Sequence, residues 1–107
     1  MNSKLVLLES PSGSGHMIPR GGGAAIKVHY EVRVYQRMIE AMPGEFIPGG
    51  LRIEGKVWNL KDQLFALRNV GKYYTLCLAD GRKLDFFFRD QDASIANTGP
   101  GLYAEAA

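Results

Sequence analysis

The sequence predicts a small, mainly β domain: an antiparallel barrel or curled sheet of five strands, with one short helix. Three observations carry this. Residues 26–35 alternate strictly between apolar and polar side chains, and residues 51–58 repeat the alternation. A third segment, "YYTLCLADGRKLDFFFRD", holds two alternating runs around Asp80-Gly81, a dipeptide suited to a tight hairpin.

In the first strand, Ile26, Val28, Tyr30, Val32 and Val34 share one face, and Lys27, His29, Glu31, Arg33 and Tyr35 the other. Period two over ten residues is the mark of a half-buried strand. "QRMIEAM" follows, rich in helix formers, and Pro43-Gly44 stops it, so one or two helical turns are expected. "PGEFIPGG" reads as loop. In "LRIEGKVWNL", Leu51, Ile53, Gly55 and Val57 point inward, and Gly55 marks a bulge or bend. "KDQ" turns the chain, and "LFALRNV" reads as the next strand.

The last hairpin has a register that can be chosen. A two-residue Asp-Gly loop sets Leu76 opposite Asp85 and mixes core with surface. A three-residue loop, Ala79-Asp80-Gly81 with Gly81 left-handed, sets Leu76 opposite Leu84 and Tyr74 opposite Phe86. A slip of one residue exchanges the faces, so the pattern selects the longer loop. The chain after Asp92 reads as loop and tail. The whole is of OB-like or Sm-like size.

At 107 residues there is room for one domain with a core of its own. Net charge is +2, too small to point to nucleic acid by composition. Cys77 is the one cysteine, which excludes an internal disulfide and a zinc cluster and favours a reducing, cytoplasmic compartment. No apolar run nears the roughly 20 residues of a membrane span.

The opening segment, "KLVLLESPSGSGHM", admits three readings. "LVLLESPSGSGHM" resembles the start of a nucleoside-kinase P-loop, but Ser10, His16 and Met17 stand where the first glycine, the lysine and the hydroxyl are needed. "KLVLLESP" also resembles the opening strand of bacterial type I topoisomerases, with Asp90 and Asp92 in "FFFRDQD" similar to that family's Asp-x-Asp. That likeness implies magnesium, yet covers only the two ends. The favoured reading divides the chain into an appended, ligand-like peptide at 1–9, a flexible Gly/Ser linker and loop at 10–23, and the β domain at 24–107. Arg33 and Arg37 have the spacing of the arginine pair in PilZ domains, without the glycines of that family's second motif.

No nucleophile motif, metal cluster or cofactor loop emerges, so the expectation is a non-enzymatic binding or adaptor module with neither metal nor cofactor. Its partner is expected to be a short peptide or partner protein taken up by strand addition, with Lys4, Leu5, Val6, Leu7 and Leu8 as a suitable guest. An open edge could also pair two copies of the chain. The alternative is an OB-like domain binding single-stranded nucleic acid. Its candidate surface is Arg52, Lys56, Trp58, Arg68, Lys72 and Tyr73, basic groups beside stacking aromatics. The plain alternative for that set is a solvated face with an aromatic resting on it.

Overall fold

The computed structural model describes residues 3–59, 61–62, 64–99 and 101–104. Among the described residues eight strands form one antiparallel sheet: β1 (Ser3–Glu9), β2 (Ser12–Pro19), β3 (Ile26–Met42), β4 (Glu45–Trp58), β5 (Tyr73–Cys77), β6 (Arg82–Phe88), β7 (Ser94–Asn97) and β8 (Tyr103–Ala104). One short helix, α1 (Phe65–Arg68), precedes β5. The order β3-β2-β5-β6-β7-β4, together with pairing of β3 to β4, closes the sheet partly into a ring. The expected small β barrel or curled sheet is what forms, with more strands than five.

The core is built by the alternation that predicts it. Val28, Tyr30, Val32 and Val34 of β3 are buried, with Ile53 and Val57 of β4 and Tyr74, Leu76, Leu84, Phe86 and Phe88 of the last hairpin. That hairpin adopts the register chosen by face matching: Leu76 lies opposite Leu84 and Tyr74 opposite Phe86. Leu78 N–H donates to the Arg82 carbonyl, closing a loop of Ala79, Asp80 and Gly81, and Gly81 has φ +92°. On the outer face Asp85 ties several elements together. It accepts from Thr75 Oγ1 at 2.8 Å and from Tyr103 Oη at 3.1 Å, and pairs with Arg20 at 3.2 Å.

Gly55 lies where β3 and β4 approach closely. A Cβ built there would sit 2.1 Å from the Glu31 carbonyl oxygen and 2.9 Å from Val32 Cα. Only a residue without a side chain lets the two strands approach this closely.

Four local expectations are corrected. The glycine-serine stretch is no linker: Ser12–Pro19 is a wall strand between β3 and β5, with Met17 fully buried. Gly15 is needed there because a Cβ would lie 2.2 Å from the Cys77 carbonyl oxygen, so close packing explains the glycine. Residues 36–42 are strand, since pairing with β1 and β4 on both sides supplies backbone partners that outweigh helix propensity. With them, residues 45–50 are strand rather than loop. Conversely, residues 64–70 hold α1 and turns, with only Ala66 of the helix buried, so the expected strand is absent there. Finally, Ser94–Asn97 in the expected tail pairs with both β4 and β6 and buries Ile95. Met1, Asn2, Leu60 and Gln63, which belong to the segments read above as peptide, strand and turn, lie outside the described residues, as do Pro100 and 105–107.

The molecule is elongated. Its extents are 50 × 35 × 24 Å and its radius of gyration 15.2 Å, against about 13 Å for a compact chain of this length. The cause is a three-stranded arm, made from β1, the second half of β3 and the first half of β4, which runs on past the last buried barrel residues, Val34 and Ile53.

Candidate functional site: the projecting arm

β1 and β2 lie end to end along the same side of β3, separated by Ser10 and Pro11. β1 pairs Lys4 with Met38, Leu5 with Arg37, Val6 with Gln36 and Leu7 with Tyr35. Leu8 is an extra residue, a bulge before Glu9 meets Val34. Residues directly opposite one another share a face, so the arm has two. One carries Leu5, Leu7, Tyr35, Ile39 and Ile47; the other carries Val6, Met38, Phe46 and Leu51. Neither is covered: Leu5 is 40% exposed, Val6 41%, Leu7 52%, Leu8 54% and Ile47 51%. Apolar side chains on both faces of an uncovered ribbon are unusual on a monomer surface and mark interaction sites. Lys4 rests its ammonium 4.2 Å from the centre of the Phe46 ring.

The edge can be read atom by atom. Val32 N–H donates to the Pro11 carbonyl at 2.9 Å, so the even residues of β3 turn their backbone groups toward the β1–β2 side. Along a regular strand this alternates. Gln36 and Met38 therefore face β1, and their partners Val6 and Lys4 face β3 in return. The backbone N–H and C=O groups of Ser3, Leu5 and Leu7 point away from β3, and among the described residues no strand meets them.

The opposite edge of the arm is different. β7 pairs β4 at Glu54, Gly55 and Lys56, and among the described residues no strand pairs with the earlier part of β4 on that side. This stretch carries Pro48, which has no N–H, and the bulge Gly49-Gly50, two residues against Arg37 alone. Gln36 Nε2 donates to the Gly49 carbonyl at 2.7 Å and holds that bulge in place. Proline and bulges blunt a strand edge against pairing. β1 carries no proline, and its own bulge, at Leu8, lies beyond the regular stretch Ser3–Leu7.

Arg82 fastens the root of β1. Its guanidinium bonds Glu9 at 2.7 Å and Asp80 at 2.8 Å, joining β1 to the turn of the last hairpin. The hydrogen bond from Arg82 holds the Glu9 carboxyl below its ordinary value of 4.5 and the Asp80 carboxyl below 3.8, and the two acids push the guanidinium up. Because both acid values are depressed in the fold, the contribution of this clasp is complete above pH 4.5 and is lost as pH falls through the lowered values. Acidification below that point is expected to lower the protection factors, taken relative to intrinsic exchange at the same pH, at the root of β1 before the barrel opens. Arg82→Gln should produce the same loosening at neutral pH, measurable by residue-resolved exchange.

The six residues expected to form a nucleic-acid surface do not come together. Arg52, Lys56 and Trp58 line the outer face of β4, while Tyr73 stands on β5, across the ring. Tyr73 packs edge-on to Phe87 and near the Arg20 guanidinium. Arg68 pairs with Asp62, and Lys72 is exposed just before β5. On β4 itself Trp58 stacks on His29, Lys56 faces Glu31, and Arg52 bonds Glu54 at 2.8 Å. Positive charge on that face is met by glutamates.

A cleft of about 420 Å³ opens at one mouth of the ring, lined by Met17, Trp58, Phe65 and Phe88 with Asp62 and Asp92. Asp62 is already paired with Arg68 and accepts the Leu64 N–H. Asp90 caps its own turn, accepting from the N–H groups of Asp92 and Ser94. Among the described residues no group of three or more His, Cys, Asp or Glu could hold a metal, so the topoisomerase-like reading has no assembled site there. No protein-family model, curated protein or solved structure matches the chain.

Proposed function

We propose that the chain is a non-enzymatic binding module that takes up an extended peptide or partner segment by strand addition on the outer edge of β1. One observation carries the reading: the outward backbone groups of Leu5 and Leu7 lie on an apolar edge free of proline and glycine, at the end of a projecting arm. Backbone bonds supply affinity to a guest strand, and side chains on alternate faces supply selectivity. Residues 3–9 already sit on β3 as a guest strand would, and they present a new edge beyond themselves. The glutamates facing Lys56 and Arg52 weigh against the alternative of single-stranded nucleic acid.

The test uses a fluorescently labelled peptide with the sequence of residues 4–9 and measures its binding by anisotropy across a salt series. Binding is expected to change little with salt, whereas a labelled single-stranded oligonucleotide taken as ligand would lose affinity steeply. Leu5→Pro is expected to abolish peptide binding with little change in thermal stability. It removes an outward N–H and leaves the bonds of Val6 and Lys4 to β3 in place. Unaltered binding to Leu5→Pro, or binding of the oligonucleotide alone, contradicts the proposal.

A further inference from the structure

We infer that the strand received by the β1 edge is the β1 edge of a second copy of this chain, giving a two-fold dimer in which two arms join into one six-stranded antiparallel sheet. The inference rests on the strand-addition reading and names its partner.

Self-complementarity carries it. Two β1 strands related by a two-fold axis through Val6 place Leu5 of one copy opposite Leu7 of the other, twice, and Val6 opposite Val6. Leu5 and Leu7 are the residues whose N–H and C=O groups point outward, so both Leu5–Leu7 pairs exchange two backbone bonds. The four leucines come together on one face and the two valines on the other, covering side chains that are 40–52% exposed in the single chain. The charges fall into place as well. The Leu8 bulge turns Glu9 to the same face as Lys4 and Val6, so Lys4 of one copy comes beside Glu9 of its partner at each end of the seam.

The same geometry limits the assembly to two. An isologous contact uses the same patch on both copies and closes. The remaining edge of the arm, with Pro48 and the Gly49-Gly50 bulge, does not continue the sheet.

Two measurements test this on the full chain. Sedimentation over a concentration series should show a reversible monomer–dimer equilibrium that Leu5→Pro shifts to monomer. In a Cys77→Ser background, Val6→Cys should form a covalent dimer on mild oxidation. A non-hydrogen-bonded antiparallel pair sets its Cα atoms about 4.5 Å apart, within the roughly 4.4–6.8 Å that a disulfide spans. Lys4→Cys is the control, because the two copies of that residue lie about 14 Å apart at about 3.4 Å of rise per residue. A protein monomeric at every concentration that still binds the labelled peptide overturns the second-copy inference and leaves the strand-addition reading standing. A dimer in which Val6→Cys cross-links no better than Lys4→Cys overturns it too, since the contact then lies elsewhere. Loss of both peptide binding and dimer overturns both.

Discussion

Phe86→Ala is expected to destabilise the domain by about 3–5 kcal/mol, the range for deleting a large buried aromatic when the cavity cannot collapse. Phe86 is fully buried. Its ring stacks on Tyr74 at 5.9 Å and meets Phe88 edge-on at 5.4 Å, and Phe88 in turn packs against Phe65 of α1. Truncation removes both ring contacts as well as the buried area. The surrounding strands are held by ladders on each side of β6, so they cannot close the gap. Chemical denaturation should give a lower midpoint with little change in slope. A cost below about 1 kcal/mol, the level of an ordinary substitution, would mean that β6 does not face the core.

Gly55→Ala is expected to cost a comparable amount, although it adds a single methyl group. Overpacking a tight site costs about 1–3 kcal/mol. A non-glycine residue held at an unfavourable φ adds about 1–3 kcal/mol, and Gly55 has φ +150°. The atoms in the way are backbone, the Glu31 carbonyl and Val32 Cα, so no rotamer change relieves the clash. Gly55 pairs with Val32 on one side and Ile95 on the other, so the damage reaches the seam where β4 and β7 close the ring. Gly50→Ala, where a Cβ meets nothing within 4 Å, is the matched control and should be far milder.

The parts of this fold that are legible in the sequence are those where one face of a strand is buried and the other wet. Val28 to Val34 on alternate positions, and Leu76 against Leu84, announce both their strand character and their register. What escapes is structure made by pairing rather than by pattern. In β2 the inward positions include Gly13 and Gly15, which are small because β5 and the Tyr30 ring crowd them, and glycine beside serine reads as linker. Met17, fully buried, is the one apolar signal in that strand's inward set. In the arm, Met38, Ile39 and Met42 fit a helical spacing as well as a strand, and only the partners β1 and β4 decide between them. Ile95 is the one large apolar residue in Ser94–Asn97, too little to mark a strand of four.

The candidate site divides in the same way. The apolar run at Leu5, Val6, Leu7 and Leu8 is conspicuous in the sequence, and its extended form on a strand edge follows from it. The arm is not visible there, because it needs residues 36–50 to be strand. The basic and aromatic set illustrates the reverse case. Arg52 and Trp58 look paired with Tyr73 by residue type, but the ring order sends β4 and β5 to opposite walls.

The central claim is that Leu5 and Leu7 offer their backbone outward while Lys4 and Val6 are bound to β3. Residue-resolved amide hydrogen exchange reads this directly, in dilute protein and again with saturating peptide of residues 4–9 or at high protein concentration. The predicted result is alternation in the dilute sample, with Lys4 and Val6 protected and Leu5 and Leu7 fast, followed by selective slowing of Leu5 and Leu7 when the edge is filled. Equal exchange at all four amides in dilute protein, or Leu5 and Leu7 remaining fast when peptide and protein are both abundant, would contradict it.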